Sequence, residues 1–284
     1  MLNLRHSIIA IAAIAAVAVP TAYAHRAWLL PSSTVVSGDD NWITVDAAAS
    51  NDLFFLDHRP LSQMPLVFQP DGSAGKVENH HVGQFRATFD VHLQQQGTYR
   101  IAILSDTVLG RYTLNGEVKN LPRGTTRETL AAAVPAGATN VETAEMTSRN
   151  EIYVTQGAPT TTIFKPTNRG IEMVPVTHPN DLISGEAATF QFLLDGKPAA
   201  GLTVTVIPGG IRYRDALHEI TLTTDASGKV TVKWPNPGMY WMNVTQGAPR
   251  EEGPGAGAPQ GGPRPMGPLT RRVNYMTTLE VLAP

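Results

Sequence analysis

The first residue of chemical interest is a histidine that directly follows a segment with the pattern of a cleavable leader. His25 comes after Ala22-Tyr23-Ala24, in which two small residues occupy the positions that a signal peptidase reads. Cleavage after Ala24 would place a free α-amine and an imidazole on one residue, His25. Two such nitrogens can chelate a metal ion, and imidazole suits Cu(II), Ni(II), Co(II) and Zn(II). The alternative is that His25 merely begins the first strand.

A metal site at His25 needs a partner, and the chain offers four candidate histidines. These are His58, His80, His81 and His92. None of them has H-x-x-x-H or H-x-E-x-H spacing, so the fold has to assemble any site. The neighbouring Asp57 can orient the ring of His58 as a hydrogen-bond acceptor. Asp57 can equally form a surface ion pair with Arg59.

The other histidines each have a plainer interpretation. His80 and His81 are neighbours on a predicted strand and point to opposite faces, so at most one of them can face a site. His92 projects from the polar side of its strand, where a solvated side chain is the favoured alternative. His178 and His218 are interpreted as structural residues of a turn and a strand end. The scattered methionines are interpreted as core residues.

No pattern of a known catalytic site occurs in the chain. It has no cysteine nucleophile, no G-x-S-x-G elbow, no phosphate-binding glycine loop and no H-E-x-x-H. The near balance of 22 basic and 24 acidic residues argues against a nucleic-acid partner. We therefore predict a protein that is not an enzyme.

The segment before His25 determines where the protein is expected to work. Arg5 and His6 precede an apolar run from Ser7 to Val19, which is too short for a permanent membrane helix. We interpret residues 1–24 as a secretory signal peptide and expect a periplasmic protein with no membrane span after cleavage. Because the chain has no cysteine, it folds without disulfides and depends on its core.

Short alternating segments, rather than long helical ones, must position these side chains. Residues 84–93 alternate between apolar and polar, with Phe85 and Leu93 at the ends of the apolar face, and residues 202–207 and 230–234 behave similarly. Such spacing between turn residues predicts the antiparallel strands of β-sandwiches. One short helix is expected over residues 129–134, with a capping box from Thr125 to Glu128 before it and Pro135 after it.

Two motifs recur in the same order in the two halves of the chain. The pairs are Ser37-Gly38-Asp39 with Ser184-Gly185-Glu186, and Gly97-Thr98-Tyr99 with Gly238-Met239-Tyr240. A glycine before a strand-opening tyrosine suits a sandwich corner, in which the hydroxyl holds the backbone. Chance similarity of such short motifs is the alternative.

The repetition predicts an all-β chain of two tandem immunoglobulin-like or transthyretin-like β-sandwich modules. The modules are expected at residues 25–166 and 167–284, each with an insertion before its last strand. The first insertion, residues 115–149, contains the short helix. The second, residues 247–269, is a Pro/Gly tract that is expected to be disordered because it cannot bury apolar surface.

The mature start of the chain resembles a known family. His25-Arg26-Ala27-Trp28-Leu29-Leu30-Pro31-Ser32 after a signal peptide is similar to the start of exported bacterial proteins known as the periplasmic component of nickel/cobalt transport systems, the NikK-like proteins. Residues 170–175, 184–186 and 195–198 in the second half support the resemblance. It implies a periplasmic β-rich protein that handles a divalent transition metal. His25 is the one candidate ligand inside the matching motif.

The preferred hypothesis is a periplasmic accessory protein that binds a divalent nickel, cobalt or copper ion through His25 and one of the four candidate histidines. Its expected partner is a membrane metal transporter or an outer-membrane receptor. One alternative is an interaction or structural module of the envelope that binds no metal. The alternative ranked last is a histidine-brace copper protein or copper monooxygenase.

Overall fold

The computed structural model describes residues 25–247 and 270–284. The predicted signal peptide, residues 1–24, and residues 248–269 of the Pro/Gly tract lie outside the described residues. Within the described ranges, no helix combines the length and the apolar character needed to cross a membrane.

The alternating segments form strands, and the described part of the chain is all-β with one short α-helix, as predicted. The first half contains β1 (Arg26–Pro31), β2 (Val35–Val36), β3 (Asn41–Ser50), β4 (Leu66–Phe68), β5 (Glu78–Val82), β6 (Ala87–Leu93), β7 (Gly97–Leu114), β8 (Glu117–Asn120), α1 (Leu130–Ala133) and β9 (Thr139–Gln156). The second half contains β10 (Ile171–Pro175), β11 (Ala187–Leu194), β12 (Lys197–Pro198), β13 (Thr203–Pro208), β14 (Ile220–Thr223), β15 (Lys229–Lys233), β16 (Gly238–Gln246) and β17 (Arg272–Val281). Two 3-10 turns cover Thr162–Phe164 and Ile211–Tyr213.

These strands form one large central sheet and two smaller outer sheets. The central sheet has the order β14-β13-β16-β17-β9-β7-β4, with β2 beside β9 and β8 beside β7. The first outer sheet has the order β1-β3-β6-β5, and the second contains β10, β11, β12 and β15. Strands β17 and β9 pair in parallel from Arg272 with Met146 to Thr277 with Glu151. This pairing joins the two halves of the chain into one continuous sheet.

The central sheet carries one core on each of its faces. Ile101 and Val154 pack against the first outer sheet, whereas Tyr240 and Tyr275 pack against the second. Because successive side chains of a strand point to opposite faces, β9 serves both cores, and its Tyr153 faces the second. The two sandwiches therefore share a sheet and use its opposite sides.

The repeated tyrosines form matching corners of the two sandwiches, as the sequence predicts. The Tyr99 hydroxyl accepts from the backbone N–H of Gln95 at 2.6 Å and donates to the carbonyl of Gln95 at 3.1 Å. The Tyr240 hydroxyl makes the same two contacts with Asn236, at 3.3 and 2.8 Å. Both rings are fully buried. Each corner thus fixes the loop that enters a central strand.

The repeated Ser-Gly motif also has the same place in both sandwiches. In the first, β2 lies just before Gly38 and pairs in parallel with the end of β9. In the second, Ile183 lies just before Gly185 and forms a parallel bridge with Leu282 at the end of β17. Gly38 and Gly185 share a φ of 86°, a conformation that favours glycine. The repeat in the sequence therefore corresponds to a repeat in the structure.

The helix is present, but it is one residue shorter at each end than the predicted residues 129–134. Helix α1 covers Leu130–Ala133, and the reciprocal bonds before it join Thr126 and Thr129. The N–H of Thr126 donates to Thr129 Oγ1 at 2.8 Å, and the N–H of Thr129 donates to Thr126 Oγ1 at 3.3 Å. Thr125 instead donates its hydroxyl proton to the carbonyl of Pro122 at 2.7 Å.

Two further expectations about strand ends are wrong. Strand β9 begins at Thr139 and pairs with β7 along a long hairpin, so residues 139–149 belong to the strand rather than to the insertion. Hydrogen bonds to β7 hold this polar stretch, which has no apolar alternation to reveal it. Strand β6 begins at Ala87, and Phe85 lies before it with 54% of its surface exposed. Phe85 therefore stays outside the core.

Candidate metal-binding histidines

The start of β1 is held in place by a small core of its own. Trp28 is fully buried, and the ring of Phe54 meets it edge-on with centroids 5.5 Å apart. From the central sheet, the indole N–H of Trp241 donates to the carbonyl of Ala27 at 2.9 Å. The chain directly after His25 is thus fixed by two different parts of the fold.

The segment between β3 and β4 brings His58 to His25. Leu53 and Phe54 of this segment pack in the same small core as Trp28. The segment then passes beside the start of β1, and the ring centroids of His25 and His58 lie 4.0 Å apart with an interplanar angle of 55°. Packing of apolar residues on both sides of the contact therefore determines the meeting of the two imidazoles.

Asp57 orients the ring of His58. His58 Nδ1 lies 2.7 Å from Asp57 Oδ1, and both side chains are about one-third exposed. When Nδ1 carries the proton it donates to this carboxylate, and the lone pair of Nε2 is then available to a metal ion. The arrangement matches the role considered for Asp57 from the sequence.

The other three candidates lie on β5 and β6 and have different neighbours. His92 stacks on Trp42 with ring centroids 4.2 Å apart, and its Nε2 lies 2.5 Å from Asp40 Oδ1. The His92 side chain is 22% exposed and is therefore only partly solvated, since Trp42 covers one face of its ring. The His80 ring centroid lies 6.4 Å from that of Phe89, and His81 is exposed.

Two imidazoles alone do not make a complete metal site. Within residues 25–247 and 270–284, no three His, Asp or Glu side chains are grouped closely enough to hold a metal ion. A metal site at His25 and His58 therefore needs a further ligand that is not a His, Asp or Glu side chain.

A buried ionic network lies where β9 meets the second outer sheet. Arg149 Nη1 donates to Glu151 Oε1 at 2.9 Å, and its Nη2 lies 3.4 Å from Glu172 Oε1. The Tyr153 hydroxyl donates to Glu151 Oε2 at 2.8 Å and lies 3.0 Å from the Tyr275 hydroxyl. Burial, followed by the nearby carboxylate, holds the pKa of Tyr153 well above its ordinary value. The network is structural, because both tyrosines are fully enclosed.

His178 is a half-buried neutral residue at the junction of the two sandwiches. Its Nδ1 accepts from the N–H of Asn180 at 3.1 Å, and its Nε2 lies 3.3 Å from the carbonyl of Thr160. A carbonyl only accepts, so Nε2 carries the proton and the ring is a single neutral tautomer. Burial lowers the pKa of His178 below its ordinary value. The structural role predicted for His178 fits these contacts.

A cleft of about 680 Å³ lies on the opposite side of the hairpin formed by β7 and β9 and is lined by charged residues that pair with one another. Three arginines form ion pairs across it, namely Arg271–Asp195, Arg169–Asp106 and Arg127–Glu145. Hydrogen bonds from Arg271 hold the pKa of Asp195 below its ordinary value. Because each of these charged side chains has a partner of opposite charge, none of them is available to bind or activate a ligand.

Sequence reasoning missed a second feature beside His25, a polar cavity of about 480 Å³. Its floor is the central sheet, with residues of β7, β9, β16 and β17 that are far apart in the chain, and His25 and Arg26 line it as well. The one local signal is the alternation of Arg272, Asn274 and Met276 with the buried Val273 and Tyr275.

The chain matches the family model described as "Domain of unknown function (DUF4198)" over residues 22–247. No curated protein matches it. It is similar to the solved D00-D0 domain of intimin, with 11% identity over 90% of this chain and 100% of that chain and a TM-score of 0.21. It is also similar to the ICAM-5 D1-D4 ectodomain fragment, with 10% identity over 78% of this chain and 45% of that chain and a TM-score of 0.19. Neither likeness is close enough to carry an argument. Because the family model covers most of the chain, the protein belongs to the family Domain of unknown function (DUF4198).

Proposed function

We propose that the protein binds one divalent transition metal ion between His25 and His58. The observation that carries the proposal is the 4.0 Å separation of the two ring centroids. Metal–imidazole bonds are about 2 Å long, so rotation of the exposed His25 ring is enough to turn one nitrogen of each ring towards a common ion. The hydrogen bond from His58 Nδ1 to Asp57 supports the proposal, because ligand histidines are commonly oriented in this way.

The α-amine of His25 is the proposed third ligand. Cleavage after Ala24 by a signal peptidase releases this amine, and the same cleavage implies an exported, periplasmic protein. An α-amine normally titrates near pH ~8, so a metal ion displaces only a weakly held proton from it. Nitrogen ligands of this kind suit nickel, cobalt and copper ions.

The proposed role is that of a metal-binding accessory protein without catalysis. The resemblance of residues 25–32 to the start of NikK-like proteins supports a place in nickel or cobalt uptake, with a membrane transporter as the partner. An envelope interaction module that binds no metal is the competing function. The contact between His25 and His58, with Asp57 behind it, favours the metal-binding role.

Native mass spectrometry on the protein exported with its own leader tests the proposal. The metal-free protein is offered Cu(II), Ni(II) and Co(II) in turn. We expect one ion per chain, and we expect the ion to be lost in H58Q and in a form with one extra glycine before His25. The matched control is H81Q, which removes another exposed histidine and is expected to retain the ion.

The outcomes separate the proposed ligands from one another. If the glycine-extended form retains the ion as well as the native form does, the α-amine is not a ligand. If H58Q retains it, the contact between His25 and His58 has no role in binding. If no form retains an ion, the envelope module without metal becomes the better function.

A further inference from the structure

The polar cavity beside His25 lies on a part of the central sheet that the first outer sheet leaves uncovered. One cross-strand row of short polar side chains forms its floor. In the register of the sheet, Thr245 of β16 pairs with Asn274 of β17, which pairs with Ser148 of β9, which in turn pairs with Ser105 of β7. Adjacent strands are about 4.8 Å apart, so this row offers hydroxyl and amide groups at regular intervals.

Two flanking rows complete the cavity. On one side, Asn243 pairs with Met276, and the indole of Trp241 lies beyond them. On the other side, Arg272 pairs with Met146. The cavity thus has amides in the middle and a guanidinium at one end. Its thioether and indole walls can contact the hydrocarbon part of a ligand.

Two acceptor atoms of this cavity are buried without partners among the described residues. They are Asn243 Oδ1 and Asn274 Oδ1. The amide nitrogen of Asn274 donates to the sulfur of Met276, 3.7 Å away, whereas its oxygen has no partner among the described residues. Buried polar groups are nearly always paired in folded proteins. A molecule with N–H or O–H donors is the natural partner for two such oxygens.

The charge of the cavity lining is positive. Arg26 and Arg272 both line it, and of the described residues around it none is an aspartate or a glutamate. A bare cation held by carboxylates does not fit this lining. An anionic group does, because a guanidinium binds a carboxylate with two parallel hydrogen bonds.

We propose that this cavity binds a small carboxylate that also carries hydroxyl or amino donors, as a hydroxycarboxylate or an amino acid does. The carboxylate contacts Arg272, and the donors contact Asn243 and Asn274. A volume of about 480 Å³ lies within the range of small-molecule sites. His25 lines the cavity and is also a proposed metal ligand. The inference still does not rest on the metal site, because His58 does not line the cavity and no metal is needed for the contacts named.

Isothermal titration calorimetry in metal-free buffer tests the inference on the exported protein. The probes are malate, citrate, aspartate and histidine, with sulfate as an anion that has no donors and glucose as a neutral polyol. We expect at least one of the four carboxylates to bind, and we expect sulfate and glucose not to bind. H58Q is expected to bind the carboxylate as the native protein does.

Two variants and a matched control locate the site. R272Q is expected to lose affinity about tenfold or more, since it removes a charge-assisted hydrogen bond. The control is R271Q, which removes the same charge next to it in the chain, where Arg271 pairs with Asp195 on the other side of the hairpin. R271Q is expected to bind normally.

The variant N274L distinguishes a binding role from a structural one. If Asn274 is kept for a ligand, replacing this amide, whose oxygen is unpaired, with an apolar side chain of similar size abolishes binding and raises the melting temperature of the free protein. A lower melting temperature would show a structural role and overturn the assignment. Binding of sulfate or glucose as tight as that of the carboxylates, or no binding of any probe, would also overturn the proposal.

Discussion

Removing Arg149 should destabilise the protein more than removing any arginine from an exposed ion pair. Arg149 is 8% exposed, and its partners Glu151 and Glu172 are 3% and 6% exposed. The variant R149M keeps the length of the side chain but leaves two carboxylates in the interior without their cation. Glu172 still accepts from backbone N–H groups at 2.7 and 2.8 Å, whereas Glu151 keeps the hydroxyl of Tyr153.

The expected cost follows from the burial of both carboxylates. Removing one partner of a buried ion pair destabilises a protein by about 3–5 kcal/mol, because the remaining charge is uncompensated. For a chain of this size, 1 kcal/mol corresponds to a change in melting temperature of about 2–4 °C. We therefore expect R149M to melt about 6–20 °C below the native protein. Thermal unfolding followed by circular dichroism measures the difference.

A surface pair provides the control for this prediction. Arg86 Nη1 lies 3.0 Å from Asp46 Oδ2, and the Arg86 side chain is 47% exposed. R86M should therefore cost no more than about 1 kcal/mol. The triple variant R149M/E151Q/E172Q should recover most of the loss, because neither carboxylate of the network is then left without its cation. The reasoning is refuted if R149M and R86M have the same effect, or if the triple variant is less stable than R149M.

Three smaller effects follow from local geometry. The pKa of His178 is lowered in the native state, whereas the unfolded chain binds a proton at this histidine below about pH 6.5. Because the unfolded state then binds more protons, the free energy of unfolding in urea should fall as the pH drops from 7.5 to 5.5. H178Q should weaken this decline. A Cβ at Gly228 would lie 2.4 Å from a backbone oxygen, whereas one at Gly185 would meet nothing within 4 Å. Both glycines have positive φ, so G185A should cost about 1–2 kcal/mol and G228A about 1–3 kcal/mol more. Y99F and Y240F should each lower the free energy of unfolding in urea by about 1–2 kcal/mol. The two losses should be similar, because each variant loses the same corner hydrogen bonds.

Each of these expectations has a result that contradicts it. Parallel pH profiles of the native protein and H178Q would show that this histidine does not link protonation to stability. Equal losses in G185A and G228A would mean that the backbone near Gly228 relaxes freely. A corner variant with no measurable loss would show that water replaces the tyrosine hydroxyl.

The sequence by itself determined the class of fold and several of its fixed points. Alternation located β6, β13 and β15, and the repeated glycine-tyrosine motif predicted two corners that form as expected at Tyr99 and Tyr240. These features are local: side-chain direction has a period of two residues along a strand, and a positive φ favours glycine at particular positions. Local rules of this kind can be applied without knowing what a segment contacts.

Only the tertiary structure decided which side chains meet. The choice of His58 from four candidates depends on how the segment after β3 packs on Trp28, and no spacing in the sequence specifies that packing. The parallel register of β17 with β9 places Asn274 beside Ser148 and creates the polar cavity. Cross-strand register arises between segments distant in the chain, and the shared packing of two cores on one sheet selects it. The regularly alternating strands could therefore be predicted, whereas both candidate binding sites depend on contacts that the completed fold alone creates.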